Sequence, residues 1–130
     1  MEIPQEQSLG LTLDIKKRRI RIHTGTLHAI GDPEYFRFLV NPEKKNMIIE
    51  SCDEKTRGAF RLKSASFHHS SLELYSKDLV DRIVACAEIT LPGSVRLYGK
   101  QMEGEMKGVF FRIDPRGGNQ PEQQLGGANG

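Results

Sequence analysis

At 130 residues the chain suits one domain, and with its polar ends set aside roughly 100 residues remain for a modest hydrophobic core. Hydrophobic residues make up 37% and charged residues 28%, which fits neither a globally disordered chain nor a membrane protein; the apolar runs are a few residues long, against the ~18 that span a bilayer. The net charge of +2 selects no partner by itself, and two cysteines without CxxC spacing, Cys52 and Cys86, argue for reduced thiols over a disulfide scaffold or a zinc site.

Residues 1–9 are polar and unpatterned and read as a flexible arm. Met1 to Ser8 show no basic start followed by an apolar segment, so no secretory signal is expected and the expected location is cytoplasmic. From Leu11 the pattern changes. Leu11, Leu13 and Ile15 alternate with Thr12 and Asp14, then Ile20 and Ile22 alternate with Arg19, Arg21 and His23, which predicts two half-buried strands joined by the charged turn Lys16-Lys17-Arg18. A short helix follows, capped by Thr24 or Thr26, with Leu27 and Ile30 on one face, Gly31 closing it and Pro33 preventing continuation.

Tyr35 to Val40 and Met47 to Ile49 are rich in aromatic and branched residues, and Asn41 to Asn46 between them is turn chemistry, so a β-hairpin is predicted. Cys52 to Gly58 reads as a linker, Phe60-Arg61-Leu62 as a short strand, and residues 63–71 follow no single period. The clearest helix begins at Ser76, a good cap, and carries the stripe Leu79, Val80, Ile83, Val84 and Ala87, with Lys77 and Asp81 paired on the wet side. After the break at Pro92-Gly93, two strands over 94–99 and 109–113 flank a glycine-punctuated turn. From 115 to 130 no apolar pattern survives, and a disordered tail is expected.

The fold class expected is therefore α+β: a small, strand-rich barrel or sheet with two short helices, built as a single domain over 10–114. Its possible halves, 10–52 and 58–114, each follow the plan of strand or strand pair, helix, then hairpin.

Arg18-Arg19-Ile20-Arg21-Ile22-His23, then Leu27-His28-Ala29-Ile30-Gly31, then the hairpin Tyr35 to Ile49, resembles the swapped-hairpin DNA-binding domain of AbrB and MazE-type bacterial regulators over residues 18–49. Arg19, Ile20, Ile22, Ile30 and Gly31 stand where that family's pattern wants them. Arg18 replaces its usual glycine, His23 its usual proline, and Asp32-Pro33-Glu34 is a shorter approach to the next strand. The resemblance implies two exchanged hairpins forming one barrel, with basic surface residues contacting DNA. It implies a homodimer, or a monomer if the second half repeats the plan within one chain.

Strand alternation puts Arg19, Arg21 and His23 on one exposed face beside the cationic turn, a patch suited to phosphate oxygens. The candidate DNA-binding residues are Lys16, Lys17, Arg18, Arg19 and Arg21. Only Arg19 matches the family position directly, and Lys16 and Lys17 are added for charge. Arg37, Lys44 and Lys45 are possible extensions. A solvated edge strand guarded by charge explains the same cluster without a ligand.

Other chemistry finds little support. Adjacent His68 and His69 point to opposite faces of a strand, so neither a metal nor a cofactor is expected. No nucleophile elbow or phosphate-binding glycine loop is present, and Glu103 and Glu105 flank Gly104 as solubilising residues, so no catalytic residue and no enzyme is expected. Of the strand aromatics Tyr35, Phe36, Phe38, Tyr98, Phe110 and Phe111, most are expected in the core. The functional expectation is a bacterial or mobile-element regulator that binds duplex DNA; the alternative is a protein-interaction module, antitoxin-like or an inhibitor, without DNA binding.

Overall fold

The computed structural model of the chain describes residues 9–62, 66–68, 70–89, 93–103, 107–113 and 120–121. Its organising element is one antiparallel sheet curled into a half-barrel, with two helices packed against the concave, apolar side.

The first two predicted strands form β1 (Gly10–Asp14) and β2 (Arg19–His23), paired so that Leu11 faces Ile22 and Leu13 faces Ile20. All of these are fully buried, as period-two alternation requires. In the turn between them the Asp14 carboxylate accepts from the Lys17 amide at 3.4 Å, and Arg18 sits at φ +53°. The predicted second hairpin, β3 (Tyr35–Asn41) and β4 (Asn46–Cys52), repeats that turn: the Asn41 side chain accepts from the Lys44 amide at 3.1 Å, and Lys45 sits at φ +53°. An Asx side chain at the end of the first strand and a left-handed residue at the start of the second close both hairpins.

Between them lies α1 (Thr24–Ala29). Neither Thr24 nor Thr26 caps it: His23 occupies the cap position without a side-chain cap bond. Thr26 is instead fully buried, its hydroxyl accepting from the Gly10 amide at 2.8 Å and donating to the Gly10 carbonyl at 3.1 Å. A buried hydroxyl satisfied twice on β1 locks the helix to the sheet, which outweighs capping. Gly31, at φ +91°, ends the helix as expected.

The linker after β4 is held by Asp53, whose carboxylate accepts from Lys55 N and Thr56 Oγ1, and leads to β5 (Phe60–Arg61) beside β3. The unassigned stretch then yields a third hairpin, β6 (Ser66–His68) and β7 (Ser71–Tyr75). Next comes α2 (Lys77–Ala87). Ser76 caps it by accepting from the Leu79 amide at 3.3 Å, Leu79, Val80, Ile83 and Ala87 are buried, and Lys77 pairs with Asp81 at 3.0 Å, all as the sequence predicts. The last long strands are β8 (Ser94–Gln101) and β9 (Gly108–Arg112). Of the tail expected over 115–130, Gln120–Pro121 forms β10, which pairs with Arg96 and Val95 of β8; the rest lies outside the described residues, as do residues 1–8 of the N-terminal arm.

The strand order is β5-β3-β4-β9-β8-β1-β2-β7-β6. Exchanging β1, β2, α1, β3 and β4 with β6, β7, α2, β8 and β9 turns β1·β2 into β6·β7 and β3·β4 into β8·β9, and leaves the β2·β7 and β4·β9 seams where they are. One pairing lacks a counterpart. β1·β8 closes one side, whereas the equivalent β6·β3 contact is not made among the described residues, and this is where the sheet stays open.

The core fills the concave side: Leu11, Leu13, Ile20, Ile22, Leu72 and Leu97 from one part of the sheet, Phe36, Met47, Ile49, Val109 and Phe111 from the other, and Leu27, Ile30, Val80 and Ile83 from the helices. Burying each such side chain contributes ~1.5–3 kcal/mol. The strand shared by both parts, β8, carries Gly99 where a Cβ would lie 2.5 Å from Val109 Cγ1 and 2.9 Å from the Phe111 ring, so only glycine lets β9 approach there.

Candidate nucleic-acid interface

The candidate site is the convex face over β8, β1, β2 and β7. Inward Val95, Leu97, Leu11, Leu13, Ile20, Ile22, Leu72 and Leu74 leave Arg96, Tyr98, Thr12, Asp14, Arg19, Arg21, His23, Glu73 and Tyr75 on the other side of the same strands. Register aligns Arg96, Thr12, Arg21 and Glu73 in one row across four strands, and Ser94, Asp14, Arg19 and Tyr75 in the next. Arg19, Arg21 and His23 therefore share a face, as expected, with the Lys16-Lys17 turn at its end.

The arginines are not bare cations. Arg19 Nη2 donates to Asp14 Oδ2 at 2.6 Å, and its Nη1 lies 3.7 Å from Glu73 Oε2. Arg21 Nε donates to Glu73 Oε2 at 3.1 Å, and Arg18 Nε lies 2.8 Å from Asp81 Oδ1. Burial alone would lower the Arg19 pKa; the hydrogen bonds to Asp14 and Tyr75 and the charges of Asp14 and Glu73 outweigh it, and the pKa rises. The Asp81 carboxyl is held below its ordinary range, first by the hydrogen bond from Lys77 and then by the charges of Arg18 and Lys77.

Exposure ranks the five predicted residues. Lys16 and Lys17 are exposed, and neither side chain has an ion-pair partner among the described residues. The Arg21 and Arg18 side chains are 39% and 41% exposed and can turn part of their donor fork outward, while Arg19 is 11% exposed and mainly positions Asp14 and Glu73. The suggested extensions lie elsewhere. Arg37 is bonded to buried Glu50 at 2.7 Å, and Lys45 to Glu88 and the Cys86 carbonyl, near the opposite end of the strand order.

Sequence reasoning missed Arg96, the one arginine of this face with no carboxylate partner among the described residues. Its guanidinium lies 5.5 Å from the Tyr98 ring centroid, and its Nη2 donates to His23 Nδ1 at 3.1 Å. An arginine can only donate, so Nδ1 accepts and the imidazole is neutral with its proton on Nε2. Burial first and the Arg96 charge second depress the His23 pKa in agreement. Also missed was Glu73, although Leu72-Glu73-Leu74-Tyr75 alternates with period two. The outward position of Arg96 was readable from Val95 and Leu97, but its place beside β1 and β2 depends on a pairing between distant segments.

Phe36 and Phe111 are fully buried and Phe36, Phe38 and Phe60 form a ring cluster, whereas Tyr98 is 50% exposed. Among the described residues no three His, Cys, Asp or Glu side chains converge on a metal position; His68 lies on β6 and His69 outside the described residues. Among the described residues no helix is long and apolar enough to cross a membrane. Comparison with protein-family models, curated proteins and solved structures finds no match to this chain.

Proposed function

We propose that this protein is a regulator-type protein that binds duplex DNA through its phosphates, using the convex face of β8, β1, β2 and β7, and that it is not an enzyme. The observation that carries the reading is the distribution of charge on that face. Asp14 and Glu73 hold Arg19 and Arg21 against the sheet, while Lys16, Lys17 and Arg96 keep their charge for a partner. Donors held on the sheet beside exposed lysines suit backbone contacts, which position a protein on DNA without reading sequence. The exchange pattern of the strand pairings supports a single-chain version of the swapped-hairpin domain, with both halves supplied by one polypeptide. Cytoplasmic location and bacterial or mobile-element origin go with this reading.

Fluorescence anisotropy with a random-sequence duplex tests it. Binding should weaken steeply with salt, with a log–log slope of roughly −0.9 per phosphate contact. Lack of binding at low salt by the folded protein rules the reading out.

A second reading is favoured by one feature of the other half of the sheet. Leu39, Ile48 and Phe110 align in a convex row across β3, β4 and β9, with Leu39 39% exposed and the other two half-buried. Such a row suits an apolar protein partner, as in an antitoxin-like or inhibitor module. Loss of partner capture in Leu39→Ser/Phe110→Ser, with DNA affinity absent in the parent, would select it.

A further inference from the structure

We propose that Arg96, His23 and Tyr98 form a seat for one phosphate group, which on the duplex reading above is a phosphate of the DNA backbone. Three observations converge there. No carboxylate faces the Arg96 guanidinium among the described residues, while Arg18, Arg19 and Arg21 each have one; Arg96 Nε, like Arg18 Nε and Arg19 Nε, is buried without a hydrogen-bond partner. A positive group held in place without a counter-charge is matched by an anion. The group is also pre-oriented: Tyr98 supports its plane from β8, and the bond to His23 Nδ1 ties its other end to β2, two strands away.

The surroundings fit a phosphate. The Arg96–His23 bond leaves the imidazole proton on Nε2, a second donor, and Thr12, between Arg96 and Arg21 in the row, adds a hydroxyl and brings the next cation. Gly10, opposite Tyr98, has no side chain to fill the space over β1, and a Cβ there would stand 2.9 Å from the Leu97 carbonyl oxygen. The charged groups around His23 are Arg96 from β8, Arg21 on its own strand, and Glu73 of β7 in the row of Arg21; Glu73 is already bonded to Arg21. Burial is the larger cause of the depressed His23 pKa and the Arg96 charge the second. An anion on Arg96 offsets the second, so the imidazole should protonate more readily when the seat is filled, the proton going to Nδ1 and releasing Arg96 Nη2 to the anion.

The test is an NMR pH titration of the His23 imidazole in the full chain, alone, with inorganic phosphate, and with a short random duplex, alongside duplex anisotropy. Expected are a rise in the His23 pKa with both probes, loss of that rise in Arg96→Gln, partial retention in Arg96→Lys, and a salt slope about 1 shallower for Arg96→Gln. The amide spectrum of each variant confirms that it is folded. Duplex that binds without moving His23 overturns the seat and leaves the DNA reading standing. Phosphate that moves His23 through Arg96, without duplex binding, upholds the seat as a free-anion site and overturns the DNA reading. An imidazole unmoved by either probe overturns the seat.

Discussion

The exchange of halves carries each of the seams β2·β7 and β4·β9 onto itself, and the two seams are alike on one side and different on the other. Facing the core they are alike: Ile20, Ile22, Leu72 and Leu74 in one, Met47, Ile49, Val109 and Phe111 in the other. Facing outward they diverge, with Arg21 opposite Glu73 at the first seam and Ile48 opposite Phe110 at the second. The concave side is constrained by close packing, in which one lost methylene is felt, while the convex side is free to carry charge or apolar surface without altering the fold. The two seams accordingly present different surfaces on the same fold, one charged and one apolar.

The largest effects should come from breaking the side on which the seams agree. Phe111→Ala should cost ~3–5 kcal/mol and Ile22→Ala ~2–5 kcal/mol in urea denaturation, because both side chains are fully buried. Similar losses from both variants would show that one cooperative core spans the two seams, whereas separate transitions would divide them.

A smaller effect, on binding and opposite in sign to ordinary damage, follows from removing the acid that restrains the charged seam. Glu73→Gln releases Arg21 and Arg19 from their shared partner and should tighten duplex binding roughly fivefold at low salt, about 1 kcal/mol. Anisotropy titrations at low and moderate salt would check it. Weaker binding would mean that Glu73 matters for holding the arginines in place more than for masking them.

The smallest effect concerns pH. The folded-state pKa of His23 lies below its ordinary value of 6.5, so between the two values the unfolded chain binds more protons. Stability should therefore decline as pH falls through about 6.5 and level off below the folded value. His23→Gln should flatten that part of the profile in thermal melts taken from pH 7.5 to 5, and an unchanged profile would assign the slope to other groups.

Local periodicity made much of the fold legible. Leu11 to His23, the hairpin around Asn41 to Asn46, and the helix capped by Ser76 were all readable because each is decided by neighbours a few residues away. The hairpin of β6 and β7 was missed because residues 63–71 mix serine, histidine and phenylalanine without a period, even though Leu72 to Tyr75 alternates. Thr26 was misread as a cap because its two hydrogen bonds reach back to Gly10, a contact that no local rule describes. The site divides the same way. The outward set Arg19, Arg21 and His23 followed from strand parity, but the neutralising partner Glu73 and the unneutralised Arg96 are 52 and 73 residues away from theirs in the chain. Sequence clustering found where charge is dense, and only tertiary pairing showed which charges remain available.

The most direct test compares the two convex faces in one binding experiment: duplex affinity across a salt series for the parent, for Lys16→Gln/Lys17→Gln/Arg96→Gln, and for Leu39→Ser/Phe110→Ser. The DNA reading predicts salt-sensitive binding that falls at least about tenfold, roughly 1.4 kcal/mol, in the charge variant and is unchanged in the apolar one. Equal binding by all three folded proteins, or none by the parent, would contradict it.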